Sequence, residues 1–193
     1  MSAAAIILSA GESRRMGRPK AFLPFRGGTF VSTIAQVLGA RCSPVIAVFG
    51  FDAERLMPMA PATVLPVANP NYQQGMLTSL QAGLRAVPAD CDTVLFTLVD
   101  HPAITLATVD LLLASGAPIV IPRINSKRGH PVLLRRPVFG EFLLEPLSAK
   151  TRDVIDRHAA EIDYIEVNDP GIADDIDDPR LYESLLAREA ALP

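Results

Sequence analysis

The 193-residue chain has no tryptophan, and aromatic residues make up only 6% of it. A stacking platform for single-stranded nucleic acid is therefore not expected. Cysteine is scarce too. Cys42 and Cys91 are the only two, and their spacing forms neither a metal motif nor a disulfide framework. They read as small packing residues. No apolar run approaches the roughly 20 residues a membrane span needs. The start, Met1 to Ala10, has no basic segment before its apolar run, which makes it a poor signal peptide. Net charge is only −3, so no bulk basic field points to nucleic acid. Low complexity is absent as well: 49% of residues are apolar and 20% charged, the balance of a globular protein. The expectation is a soluble cytoplasmic protein, with neither nucleic acid nor membrane as a partner. A chain of this length is expected to form a single domain over residues 1–193.

What is present is an alternation of two patterns. Short apolar, β-rich runs recur at Ala4–Leu8, Val45–Phe49, Val64–Val67, Thr93–Val99 and Ile119–Ile121. Their continuous apolar character suits strands buried on both faces. Helical patterns fall at Phe30–Leu38, Met76–Ala86, Leu106–Ala114, Pro137–Leu144, Thr151–Ala160 and Pro179–Ala191. The 17 prolines are scattered and punctuate these elements. Strand–helix alternation predicts an α/β fold with a mostly parallel sheet and helices on both faces. Ligands then bind beyond the carboxyl ends of the strands.

The segment after the first predicted strand runs Ser9-Ala10-Gly11-Glu12-Ser13-Arg14-Arg15-Met16-Gly17-Arg18-Pro19-Lys20. Small residues let a backbone approach a ligand, and successive N–H groups in a tight turn bind anions. Between Glu12 and Arg26 there are five basic residues and one acid, a local charge of +4. It is not a Walker A loop, because five residues separate Gly11 from Gly17 and Lys20 comes three later. Nor is it the dinucleotide pattern, since Ser13 stands where a second glycine is required. The plain alternative is a mobile basic surface loop.

Asp100 follows the Thr93–Val99 run, so it should project from a strand's carboxyl end. A hard carboxylate there suits Mg²⁺; an ordinary turn-forming Asp is the alternative. Eight acids and no Lys or Arg lie between Glu161 and Asp178. Such runs are commonly solvated faces, and Asp177 or Asp178 could cap the last helix.

The string Leu8 to Pro24 resembles the signature of the MobA-like nucleotidyltransferases, most closely their cytidylyltransferase branch. Ser9 and Phe22 are mild departures from it. Four more segments are similar to the family's, in the same order: Asn69 to Leu80, Leu98 to Pro102, Gly129 to Val132, and Asn168 to Pro179 with its Asp-Ile-Asp. At His101 the family often carries Gln. Ala10 and Pro19 favour the cytidylyl branch over the guanylyl one.

The resemblance implies a three-layer Rossmann-like nucleotidyltransferase fold. It implies Mg²⁺-dependent transfer of CMP from CTP to molybdopterin or molybdenum cofactor, with pyrophosphate released. Leu8, Ser9, Ala10, Gly11, Ser13 and Gly17 would bind the nucleotide, together with Asn69, Gly75 and Ser79. Ser79 could instead be an ordinary helix-start residue. Arg15 and Lys20 would neutralise the departing pyrophosphate. Asp100 and Asp177 would hold the metal, with Asp175 as the alternative to Asp177. Gly129 and His130 would line the acceptor pocket, beside basic Lys127 and Arg128; a lone His is otherwise most often structural. The acceptor brings the nucleophile, so catalysis reduces to positioning and charge stabilisation. Other readings keep the chemistry but use GTP or another phosphorylated acceptor, such as a sugar phosphate or phospholactate. A different class is a non-catalytic nucleotide- or cofactor-delivery module. A recipient molybdoenzyme or its chaperone is an implied partner, and the chain would act as a monomer or homodimer.

Overall fold

The computed structural model describes residues 2–191. In chain order its elements are β1 (Ala3–Ser9), the hairpin β2 (Pro24–Phe25) and β3 (Gly28–Thr29), α1 (Phe30–Gly39), β4 (Val45–Phe49), α2 (Ala53–Leu56) and β5 (Leu65–Ala68). Then follow α3 (Met76–Arg85), β6 (Thr93–Leu98), α4 (Leu106–Ala114), β7 (Ile119–Ile124), β8 (Lys127–Arg128) and β9 (Val132–Arg135). The chain continues with α5 (Arg136–Leu144), α6 (Thr151–Arg157), β10 (Ile162–Glu166) and α7 (Pro179–Ala190).

The main sheet runs β10-β7-β9-β6-β1-β4-β5, with β8 folded back on β7. β1 is parallel to both β4 and β6, while β9 is antiparallel to both β6 and β7. The expected mostly parallel sheet is therefore present, with one reversed strand inside it. Along β1, Ala5 and Ile7 join the core under α1 and α4, whereas Ala4, Ile6 and Leu8 join the core under α3 and α5. That is the period-two alternation of a strand covered on both faces. The result is three layers, helix–sheet–helix.

Local chemistry sets the helix starts. Thr29 and Ser32 form a reciprocal capping box at α1. At α7, Asp178 Oδ1 accepts from the Leu181 N–H at 2.9 Å, and Pro179 fills the first turn. Asp178 is thus the capping residue, and Asp177 is left free for another role. The predicted helix Thr151–Ala160 stops at Arg157 and passes into a 3₁₀ turn, Ala159–Glu161. β9 and β10 lie outside the predicted strands. No helix among the described residues is long and apolar enough to cross a membrane.

Candidate active site

The carboxyl ends of β1 and β6 lie side by side, because Leu8 pairs with Leu98 in parallel register. The Val99 N–H donates to the Leu8 carbonyl at 3.0 Å, which continues the pairing one residue further. Asp100 comes next and faces the loop that leaves β1. That loop turns back on itself: the Gly17 N–H donates to the Ser13 carbonyl at 3.0 Å, with Ser13 and Gly17 both at positive φ. Ser13 Oγ then accepts from the Lys20 N–H at 3.2 Å. This fold-back carries Lys20 to the floor of the cleft, where it is buried.

The acidic segment arrives from the other side. The Ile176 N–H donates to the Asp100 carbonyl at 3.1 Å, so Asp175 and Asp177 flank Asp100. Lys20 Nζ lies 3.0 Å from Asp100 Oδ2 and also pairs with Asp177 Oδ1. Arg15, largely exposed, pairs with Asp177 Oδ2. One carboxylate oxygen each from Asp100, Asp175 and Asp177 falls within a 4.8 Å cluster. Asp175 therefore adds to the pair Asp100–Asp177 rather than replacing Asp177.

The electrostatics follow from this crowding. Burial disfavours the Asp100 anion, yet the hydrogen bond from His101 and the Lys20 charge outweigh it and hold the carboxyl down at about 2. Burial also opposes the Lys20 ammonium, but Asp100 and Asp177 raise its pKa overall. Asp175 is raised, first by burial and then by repulsion from Asp100 and Asp177. The site is an anion cluster with a cation locked into it.

Above this floor is a cleft of about 490 Å³. Leu8, Ser9, Ala10, Gly11, Ser13 and Arg15 line one side; Gly75 and Ser79 line the opposite wall. Lys20, Asp100 and Asp177 complete it. Gly17 is absent from the wall; it shapes the loop turn. Asn69 is buried behind the wall, where its Nδ2 donates to Thr78 Oγ1 and Ser79 Oγ, both at 2.9 Å. Gly129 and His130 line a separate, adjoining cavity.

Some contributors were missed in the sequence. Tyr72 and Met76 also line the cleft, as do Glu12 and Arg14, which pair with each other. Gly50 is the hidden one. A Cβ there would collide with the Tyr72 side chain and the Ala10 carbonyl, so its bareness lets two cleft walls meet. The sequence signal was its place just after the β4 run. His101 was given no firm role, but its Nδ1 lies 3.0 Å from Asp100 Oδ1, and its ring meets the His130 ring edge-on at 4.9 Å. Burial, with nearby His101, pushes His130 down to about 3, so that ring is neutral.

A sequence profile of the MobA-like NTP transferase domain matches residues 5–162. The chain is 32% identical to the molybdenum cofactor cytidylyltransferase of Escherichia coli strain K12, over 84% of this chain and 86% of that one. It is 31% identical to the nicotine blue oxidoreductase of Paenarthrobacter nicotinovorans, over 89% and 90% respectively. In fold it is similar to the crystal structure of Rv0371c from Mycobacterium tuberculosis H37Rv, with a TM-score of 0.82 and 23% identity, covering 97% of this chain and 99% of that one. Profile, curated relatives and sheet agree with the cleft geometry, and the chain belongs to the MobA-like NTP transferase family of nucleotidyltransferases.

Proposed function

We propose that the protein transfers CMP from CTP to a molybdopterin-type acceptor in an Mg²⁺-dependent reaction that releases pyrophosphate. One observation carries this: the buried Lys20 ammonium meets Asp100 and Asp177 at the floor of the cleft walled by the loop after β1. Nucleotidyl transfer needs positive charge where a polyphosphate sits and hard oxygen donors beside it. The E. coli cytidylyltransferase, alike over 84% of this chain, supports CTP and a molybdenum cofactor acceptor as the substrates. The family likeness also extends to an oxidoreductase, so the weight falls on the cleft rather than on membership.

The donor set fits the metal. Three carboxylates with oxygens inside 4.8 Å are an all-oxygen group; burial and then repulsion from Asp100 and Asp177 raise Asp175, and a divalent cation would relieve the repulsive part. Asp100, Asp177 and Asp175 would hold Mg²⁺, which supplies charge neutralisation on phosphate oxygens when bound. The chain's own groups do the rest. Backbone N–H groups from Ala10 to Ser13 hold phosphate oxygens. Lys20 and Arg15 stabilise the charge that grows on the leaving pyrophosphate. Tyr72, Gly75 and Ser79 form the wall available to base and ribose. The acceptor phosphate is itself the nucleophile, so no serine or cysteine has to be activated.

The test is a pyrophosphate-release panel with CTP, GTP, ATP and UTP, each with Mg²⁺ and with or without molybdopterin. Release with CTP only in the presence of the pterin is the expected result. Release with GTP moves the protein to guanylyl transfer. Nucleotide binding without release under any condition identifies a delivery module. Oxidation or reduction of nicotine blue in a separate arm, with no pyrophosphate released in the panel, overturns the transferase assignment in favour of redox chemistry.

A further inference from the structure

Asp100 sits on the cleft floor in a turn, outside any strand or helix. Its position therefore rests on its hydrogen bonds. The backbone carbonyl accepts from the Ile176 N–H at 3.1 Å. The two side-chain oxygens have different partners. Oδ2 lies 3.0 Å from Lys20 Nζ, and Oδ1 lies 3.0 Å from His101 Nδ1. A carboxylate paired with an ammonium is ionised and only accepts, so Nδ1 is the His101 nitrogen that carries the proton in this bond.

The His101 ring is itself fixed. It is buried, and it meets the His130 ring edge-on with centroids 4.9 Å apart. His130 meets the Phe96 ring in the same manner at 5.6 Å. Edge-to-face packing sets the plane of a ring as well as its place. Phe96 belongs to β6, so three rings run from the sheet to the cleft floor. Below them the backbone is braced: the His101 N–H donates to the Leu98 carbonyl at 3.3 Å, and the His130 N–H to the Ile172 carbonyl at 2.9 Å.

What the bond does follows from the alternative. Lys20 is an ammonium with three donors, and its Nζ reaches both Asp100 and Asp177. An Asp100 carboxylate free to turn about its Cβ–Cγ bond would offer both oxygens to that ammonium. Its lone pairs would then face Lys20 rather than the cluster it forms with Asp175 and Asp177. Holding Oδ1 limits Lys20 to one oxygen and fixes the carboxylate plane. Hydrogen-bonding partners behind a ligating carboxylate orient it in this way. His101 lines neither the cleft nor the cavity at His130, so it acts through Asp100.

We propose that His101 is a positioning residue: its Nδ1–H holds Asp100 Oδ1 and so presents the Asp100 carboxylate to the divalent cation. This rests on the metal-dependent transferase reading and deepens it.

The experiment titrates the full-length protein with Mn²⁺ alone and follows the free ion by its EPR signal. Wild type should bind saturably. His101→Phe keeps a ring against His130 but has no N–H, and should weaken Mn²⁺ binding about tenfold. His101→Asn places an N–H the same number of bonds from the backbone as Nδ1, and should bind Mn²⁺ close to wild type. Circular dichroism shows whether each variant is folded. If His101→Phe does not fold, His101→Leu, which matches Asn in shape, takes its place in the comparison. Equal affinity in wild type and the variant without the N–H overturns the assignment. So does His101→Asn binding as weakly as His101→Phe, since the ring and not the N–H is then what matters. The two proposals fail separately. Saturable binding that His101→Phe leaves unchanged removes His101 alone. Binding weakened in His101→Phe and kept in His101→Asn, with no pyrophosphate released in the nucleotide panel, leaves His101 in its role and removes the transferase reading. No saturable Mn²⁺ binding by wild type removes the metal, and with it this role.

Discussion

Lys20 is the residue on which the site turns. It is buried with an intact positive charge, a costly arrangement that its two carboxylate partners offset. Removing it leaves Asp100 and Asp177 facing each other without a cation. Lys20→Ala is therefore expected to lower pyrophosphate release by roughly 10²- to 10³-fold, the scale of losing one preorganised charge-stabilising group. Circular dichroism should show the same secondary structure as wild type, since Lys20 opens the short 3₁₀ turn Lys20–Phe22 and its ammonium pairs with Asp100 and Asp177, which lie outside the strands and helices. Turnover near wild type in the folded variant would remove Lys20 from the chemistry. Lys20→Arg should not restore it, because a planar guanidinium cannot sit as a compact charge between two carboxylates.

At the scale of elements, the site depends on how loops lean on one another. The segment before α7 is pinned by Asp169, a buried carboxylate that accepts from the Thr105 N–H, from the Thr105 and Thr108 hydroxyls, and from the Gly171 N–H. Next to it, the His130 N–H donates to the Ile172 carbonyl at 2.9 Å, and Gly129 packs flat on the same backbone. A Cβ at Gly129 would overlap the Ile172 carbonyl oxygen, and backbone cannot swing away as a side chain can. Gly129→Ala should therefore cost about 1–3 kcal/mol, read as a lowered Tm. It should also raise the acceptor KM, because His130 moves with it; an unchanged Tm would show that the loops are not braced here. How far such elements were legible depended on pattern strength. The apolar runs of β1, β4 and β6 stood out because both faces are buried. β9 is a short run beginning just after Pro131, and β10 is a half-exposed edge strand reading Ile-Asp-Tyr-Ile-Glu, so neither resembled a buried strand. The loop string and Asp100 were readable as motifs. Gly50 and His101 were not, because their roles come from contacts that only the folded chain creates.

For the whole molecule, the net charge of −3 hides two opposed regions that folding brings together: the basic loop after β1 and the acidic segment before α7. Among titratable groups, His130 gives a stability signature of its own. Its pKa falls from 6.5 to about 3 because burial, aided by His101, disfavours the imidazolium. The unfolded chain protonates this residue near 6.5, while the folded chain resists until about 3. Between those values the unfolded state binds more protons, so stability is full above pH 6.5 and is lost as pH falls toward 3. His158 works in the opposite direction. Hydrogen bonds with Glu141 and Glu161 raise its pKa, so its contribution is present below 6.5 and fades as pH rises through the folded value. The two are separable by mutation. His130→Gln cannot take up a proton in either state, so its Tm should fall less steeply than wild type from pH 6.5 to 4, whatever its Tm at neutral pH. His158→Gln should show its largest Tm deficit below pH 6.5 and a deficit that shrinks as pH rises into the alkaline range. Parallel wild-type and His130→Gln curves through the acid range would mean that the imidazole is protonated as readily in the folded chain as in the unfolded one.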